Sequence, residues 1–256
     1  MASESTAQRR RLVVGNWKMY GSRQENTFLL ADILAGWEPL AEVDVAICPS
    51  FIYLPQVAEA LQGSAIAWGG QSLNPDDSGA FTGEVSGPML ADVNSRYVIV
   101  GHNERRRLRA ETDQFVALQF VAAQRAGLIP ILCVGESAED RAAGNALAFI
   151  TAQISAVINL AGIDAVARAV LAYEPIWAVG TGKTATPEQA AEVHAHIRQL
   201  FGERGEQLTI VYGGSVKANN AAQLFALADI DGALLGGASL NAEEFLAICR
   251  HANTAG

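Results

Sequence analysis

Tyr97-Val98-Ile99-Val100, followed at once by Gly101-His102-Asn103-Glu104-Arg105, carries the reading of the fold. Four β-favouring residues run on with no polar residue between them. A strand with one wet face alternates apolar and polar positions. A continuous apolar run instead belongs to a strand buried on both faces, as in a parallel sheet covered by helices. The same pattern recurs at residues 12–14, 45–48, 66–68, 129–133, 170–173, 208–212 and 233–235. The runs succeed one another about every 32 residues, the length of one β-α unit. Stretches with helical spacing lie between them, at 114–124, 138–160, 187–200 and 242–251. This alternation predicts an α/β fold, a single-domain (β/α)8 barrel of eight parallel strands with helices outside. An open doubly wound sheet is the rival, but its two edge strands should look more polar, and none of the runs does. No linker rich in Pro, Gly and Ser divides the chain. Residues 1–10 read as a flexible N-terminal tail and residues 11–256 as one barrel domain.

Composition narrows the classes. Of 256 residues, 50% are apolar and only 18% charged, which excludes intrinsic disorder. A chain of this length can bury roughly three quarters of its unfolded surface, so it needs neither disulfides nor a metal to fold. The net charge of −9 argues against a nucleic-acid or anionic-membrane partner. Cys48, Cys133 and Cys249 are odd in number and far apart, and form no CxxC pair, so neither a disulfide framework nor a structural zinc site is expected. The start is polar and ends in Arg9-Arg10-Arg11 with no apolar core of a signal behind it, and no run of about 18 apolar residues occurs. A soluble, cytoplasmic protein is expected.

In a barrel, the loops after the strands' C-terminal ends carry the site. The residues just past the apolar runs are therefore informative: Gly15-Asn16-Trp17-Lys18, Gly101-His102-Asn103-Glu104, Gly135-Glu136, Glu174-Pro175, Gly213-Gly214-Ser215 and Gly236-Gly237. Polar and ionisable groups converge on one rim. His102 directly succeeds a buried strand and a glycine, unlike His194 and His196, which lie in a helical stretch, and His251 near the terminus. Glu174 ends an apolar run, where a carboxylate is costly unless paired or used. A buried ion pair with Lys or Arg is the alternative reading. Lys18, beside Asn16 just past the first strand, reads as an anion contact, and it must attract its anion locally because the protein as a whole repels it. The Gly-Gly turns at 213–214 and 236–237 suit backbone approach to a phosphate.

Two look-alikes fail on spacing. Gly180-Thr181-Gly182-Lys183-Thr184 resembles the end of a Walker A loop, but Trp177 stands where that pattern needs its first glycine. Gly180, Gly182 and Ala185 fit the dinucleotide fingerprint formally, yet they lie beyond any tight strand-to-helix turn. A glycine-bounded segment holding Ile176, Trp177 and Val179 reads better as a hinged lid. The basic run of Arg105, Arg106, Arg107 and Arg109 reads as a helix start with paired or solvated charges.

Taken together, Gly15-Asn16-Trp17-Lys18-Met19, Gly101-His102-Asn103-Glu104-Arg105-Arg106, the stretch from Ala172 through Glu174-Pro175-Ile176-Trp177 to Lys183, Tyr212-Gly213-Gly214-Ser215-Val216 and Gly236-Gly237-Ala238-Ser239-Leu240 closely resemble triosephosphate isomerase. So does Gly79-Ala80-Phe81-Thr82-Gly83-Glu84-Val85-Ser86. The resemblance spans residues 11–248 and implies a TIM barrel that interconverts dihydroxyacetone phosphate and D-glyceraldehyde 3-phosphate, an aldose-ketose isomerisation with no cofactor and no metal. By the same resemblance Glu174 is the base, His102 the neutral electrophile, Lys18 the cationic group, Asn16 a substrate-binding residue and Glu104 the carboxylate that holds the lysine. Gly180, Ser215, Gly236 and Gly237 match the phosphate cradle, and residues 175–183 the closing lid, latched by Tyr212 and Ser215. Thr82 matches the tip of a loop that enters a neighbouring subunit, which implies a homodimer. Asn103 departs from the family's usual serine, Ser72 from its usual asparagine, and Tyr20 from a residue often Asn. A sugar-phosphate epimerase would want a metal or paired acids on several strand ends. A non-catalytic barrel would be expected to lack Glu174, His102 or Lys18.

Overall fold

The computed structural model of the chain describes residues 9–178 and 185–254. Eight strands, β1 (Arg11–Asn16), β2 (Val43–Cys48), β3 (Ile66–Gly70), β4 (Tyr97–Val100), β5 (Ile129–Val134), β6 (Val170–Tyr173), β7 (Thr209–Tyr212) and β8 (Gly232–Leu235), pair in sequence order and close, β1 pairing with both β2 and β8. All pairings are parallel. Among the described residues the outer layer comprises α1 (Arg23–Ala35), α2 (Leu54–Leu61), α3 (Gly87–Asp92), α4 (Asn103–Arg109), α5 (Asp113–Arg125), α6 (Ala138–Ala142), α7 (Ala146–Ala161), α8 (Ile163–Ala167), α9 (Pro187–Leu200), α10 (Ala218–Phe225) and α11 (Ala242–Thr254). None of these helices is long and apolar enough to cross a membrane.

The two buried faces behind the continuous apolar runs are separate layers. Leu12, Val14, Tyr97, Ile99, Ile131 and Cys133 alternate along their strands into the barrel interior. Val13, Val98, Val100 and Leu132 point the other way, against the helices. The period of two that burial usually hides is therefore present, with both phases apolar.

Local chemistry sets the element ends. Thr186 caps α9 with its hydroxyl on Gln189 N–H while Gln189 returns a bond to the Thr186 N–H, and Pro187 opens the helix with φ already set. The stretch 138–160 is two helices rather than one. Gly144, at φ +73, turns the chain between α6 and α7, a conformation a helix interior does not contain. Of the tail, residues 1–8 lie outside the described residues. Arg9 donates to the Asp231 carboxylate at 2.7 Å and to the Ala228 carbonyl at 2.6 Å, and Arg10 reaches Asp44.

Candidate active site

The strand ends deliver their cargo to one mouth of the barrel. Asn16 ends β1, and its side-chain Oδ1 accepts the Lys18 N–H at 3.0 Å. That turn puts Lys18 at φ +54, a conformation lysine rarely adopts. The conformation persists because its carbonyl is held on both sides: Ser50 Oγ and Gln71 Nε2 each donate to it at 2.8 Å. Gln71 also donates to the Cys48 carbonyl at 2.9 Å, so one amide ties the ends of β1 and β2 together. The ammonium of Lys18 then meets Glu104 Oε1 at 2.7 Å.

His102 caps α4. Its Nδ1 accepts the Glu104 N–H at 3.2 Å, leaving Nε2 to carry the proton of the neutral ring. That Nε2 lies 3.0 Å from Glu174 Oε1. Burial pushes the imidazole's pKa down, but the facing carboxylate of Glu174 outweighs it, and the net direction is upward.

Glu174 is almost wholly buried, 2% exposed, just past β6. Among the described residues it pairs with no Lys or Arg; three N–H donors satisfy it instead. Asn103 gives its backbone N–H to Oε2 at 2.9 Å and its side-chain amide to Oε1 at 2.7 Å, with His102 Nε2 the third. Burial raises the carboxyl's pKa, yet His102 and Asn103 together overcome it and hold Glu174 below the usual carboxylate value.

The two Gly-Gly turns differ in what they answer to. A Cβ on Gly213 would meet Glu174 Cγ at 2.8 Å, and one on Gly214 would strike the Tyr212 hydroxyl at 2.2 Å. That pair is glycine for packing, the first against Glu174 itself. A Cβ on Gly236 would meet only the Lys18 chain, Cε at 3.2 Å, and one on Gly237 meets nothing within 4 Å. This second turn leaves bare backbone facing open space. Asn16, Lys18, His102, Glu104, Glu174, Ser215, Gly236 and Gly237 all line one cavity of about 1130 Å³. Gly180 and the lid residues 179–183 lie outside the described residues.

Beside this mouth stands a carboxylate whose role spacing alone does not reveal. Glu136 is fully buried, and its Oε1 accepts from Trp177 Nε1 at 2.8 Å, Arg141 at 2.9 Å and Tyr173 OH at 3.0 Å. The Arg141 guanidinium also lies 5.1 Å from the Trp177 ring centroid. Trp177 belongs to the stretch read as a lid, so Glu136 anchors the root of that segment to β6. Gln71 and Ser50 are likewise invisible in the sequence as supports of Lys18, because they come from other loops.

The basic run resolves as a helix with engaged charges at its start. Arg105 pairs with Glu111 and Arg106 with Asp113. Among the described residues no group of three or more His, Cys, Asp or Glu is arranged to hold a metal ion.

A family model described as triosephosphate isomerase matches residues 11–252. The triosephosphate isomerase of Bordetella pertussis is 55% identical over 246 residues, covering 95% of this chain and 98% of that protein. Those of Dechloromonas aromatica and Nitrosococcus oceani are 54% and 53% identical, covering 96% and 94% of this chain and 100% and 98% of their own lengths.

Proposed function

The chain belongs to the triosephosphate isomerase family, and we propose that within this isomerase Glu174 moves the proton between the two carbons of the triose phosphate. The observation that carries the reading is a buried carboxylate, Glu174, sharing one cavity with the Nε2 of His102, the ammonium of Lys18 and the bare backbone of Gly236 and Gly237.

Transfer between adjacent carbons needs a base whose two oxygens span both, and a carboxylate does. At rest the Nε2–H of His102 is directed at Glu174. A substrate carbonyl entering the site takes that hydrogen bond, which removes one of the two donors on Oε1, leaving the Asn103 amide, and places a donor where the enediolate charge develops. Losing donors also strengthens the base. Burial, the largest influence on Glu174, acts upward once the lowering hydrogen bonds are gone. A positioned base contributes about 10²–10⁴-fold, roughly 3–5 kcal/mol. Enzymes supply about 8–23 kcal/mol in all. His102, Lys18 and Asn16 therefore stabilise the enediolate oxygens, at about 3–4 kcal/mol for a well-placed donor. Glu104 holds the lysine. Ser215, Gly236 and Gly237 take the phosphate together with Gly180, and the lid that starts at Pro175 excludes water, which protects the intermediate from losing its phosphate.

The reading includes a homodimer. Met19, beside Lys18, and Ile52 are 93% and 80% exposed, and Phe81 next to Thr82 is exposed as well. Large apolar side chains left exposed on these segments fit a surface that a second copy of the chain would cover.

The test is a coupled assay of turnover from glyceraldehyde 3-phosphate, with chelator present, beside Glu174→Gln. Metal-independent turnover that collapses by at least about 10²-fold in the variant supports Glu174 as the base. Turnover that survives Glu174→Gln overturns the assignment.

A further inference from the structure

The cavity has an electrostatic problem. The protein carries a net charge of −9, and the substrate class read above is a phosphate dianion. Among the described residues lining the cavity, the carboxylates of Glu104, Glu174, Glu243 and Glu244 face only three cations, Lys18, Arg107 and Lys217. Lys18 is already engaged by Glu104 at 2.7 Å. Among the described residues, Arg107 and Lys217 are the lining cations that no carboxylate engages, and a free cation at the mouth offsets this field.

Arg107 is placed to do it. It lies on α4 one turn beyond Glu104, so the two share a face of that helix, and it lines the same cavity. Arg105 and Arg106, its neighbours in sequence, are engaged by Glu111 and Asp113. Arg107 is exposed and makes no hydrogen bond or ion pair among the described residues, so its full charge is available to an incoming ligand. His102 caps α4 and Asn103 opens it, so the guanidinium rides on the same helix as the reacting groups.

We propose that Arg107 is a recruiting residue, a rim cation that draws the substrate's phosphate toward the mouth without touching the reacting atoms. The proposal rests on the reading of this cavity as the triose phosphate site. A single charge acting on a dianion through water changes its local concentration by about fivefold at low ionic strength, and salt screens that effect away. An arginine whose charge does not reach the mouth would do neither.

The experiment measures kcat and KM for glyceraldehyde 3-phosphate in wild type, Arg107→Gln, Arg107→Lys and Arg107→Glu, at about 0.01 M and about 0.3 M ionic strength. Arg107→Gln is expected to lose about fivefold in kcat/KM at the lower ionic strength, all of it in KM, and to converge on wild type at the higher one. Arg107→Lys keeps the wild-type value, and Arg107→Glu loses more than Arg107→Gln. An unchanged kcat/KM in Arg107→Gln at low salt overturns the proposal, as does a loss that salt leaves untouched or that falls on kcat. Wild-type turnover and its collapse in Glu174→Gln are read in the same series, so a wrong site and a wrong recruiting role give different results.

Discussion

Asn103 holds Glu174 with two hydrogen bonds at once, its backbone N–H on one carboxylate oxygen at 2.9 Å and its side-chain amide on the other at 2.7 Å. A serine, usual at this position in the resembled family, would keep the backbone bond and offer a smaller, rotatable hydroxyl in place of the amide. In the mechanism proposed above Glu174 has to leave this grip, so a firmer resting contact slows the step. Asn103→Ser is expected to raise kcat about fivefold, the equivalent of one hydrogen bond of about 1 kcal/mol, with KM little changed. Both Asn103 bonds lower the Glu174 pKa, so Asn103→Ala, which lacks the amide donor, should move the acid limb of kcat/KM to higher pH. Steady-state kinetics across pH reads both; an unchanged kcat in Asn103→Ser would count against the resting grip as a brake.

Gln71 supports Lys18 from a distance in sequence. Its amide bridges the carbonyls of Lys18 and Cys48, and with Ser50 it keeps lysine at a positive φ. Gln71→Ala leaves two inward carbonyls short of a donor, at about 1–3 kcal/mol of stability. Turnover should fall about tenfold, the equivalent of about 1.4 kcal/mol, because the Lys18 backbone can relax. Urea denaturation and the coupled assay measure the two effects, and a stability loss with intact turnover would make Gln71 purely structural.

His194 sets an acid limit on the fold. It is wholly buried, its Nδ1 bonded to the Asp229 carbonyl at 3.0 Å, and burial pushes its pKa down to about 4. In the unfolded chain histidine titrates near 6.5. Between those values the unfolded state binds a proton that the folded state does not. His194's contribution is thus fully favourable above about pH 6.5 and declines as pH falls toward 4, by up to about 3 kcal/mol. His194→Asn keeps a donor for Asp229 and should flatten that pH dependence, seen as a smaller difference in urea midpoint between about pH 7 and about pH 4.5. An unchanged difference would assign the acid sensitivity to other groups.

Met19 tests the dimer. It is 93% exposed next to Lys18. Burying a methionine is worth about 1.5–3 kcal/mol, and a charge in its place adds a desolvation cost. Met19→Asp should therefore weaken association by at least about 100-fold. Sedimentation equilibrium reads this directly: wild type as dimer, Met19→Asp shifted to monomer. A wild-type protein that sediments as a monomer would sink the dimer reading.

The barrel is legible in the chain alone, as are the groups proposed to react. Eight apolar runs at one β-α spacing leave no polar edge strand, so the sheet has to close. His102, Glu174 and Lys18 stand out because ionisable groups directly after buried strands are costly. How those groups meet depends on the closed sheet. Glu174 and Asn103 are 71 residues apart, Lys18 and Glu104 are 86 apart, and no local pattern records which loops share a mouth. The Gly-Gly turns show the same limit. As sequence they are alike, but Gly213 is small to make room for Glu174, whereas Gly237 faces open space. Gln71, Glu136 and Arg107 each work through a neighbour, or the lack of one among the described residues, that the closed barrel supplies. Local pattern comes from chain periodicity and the cost of burial; partner choice comes from which strand ends the closed sheet brings side by side.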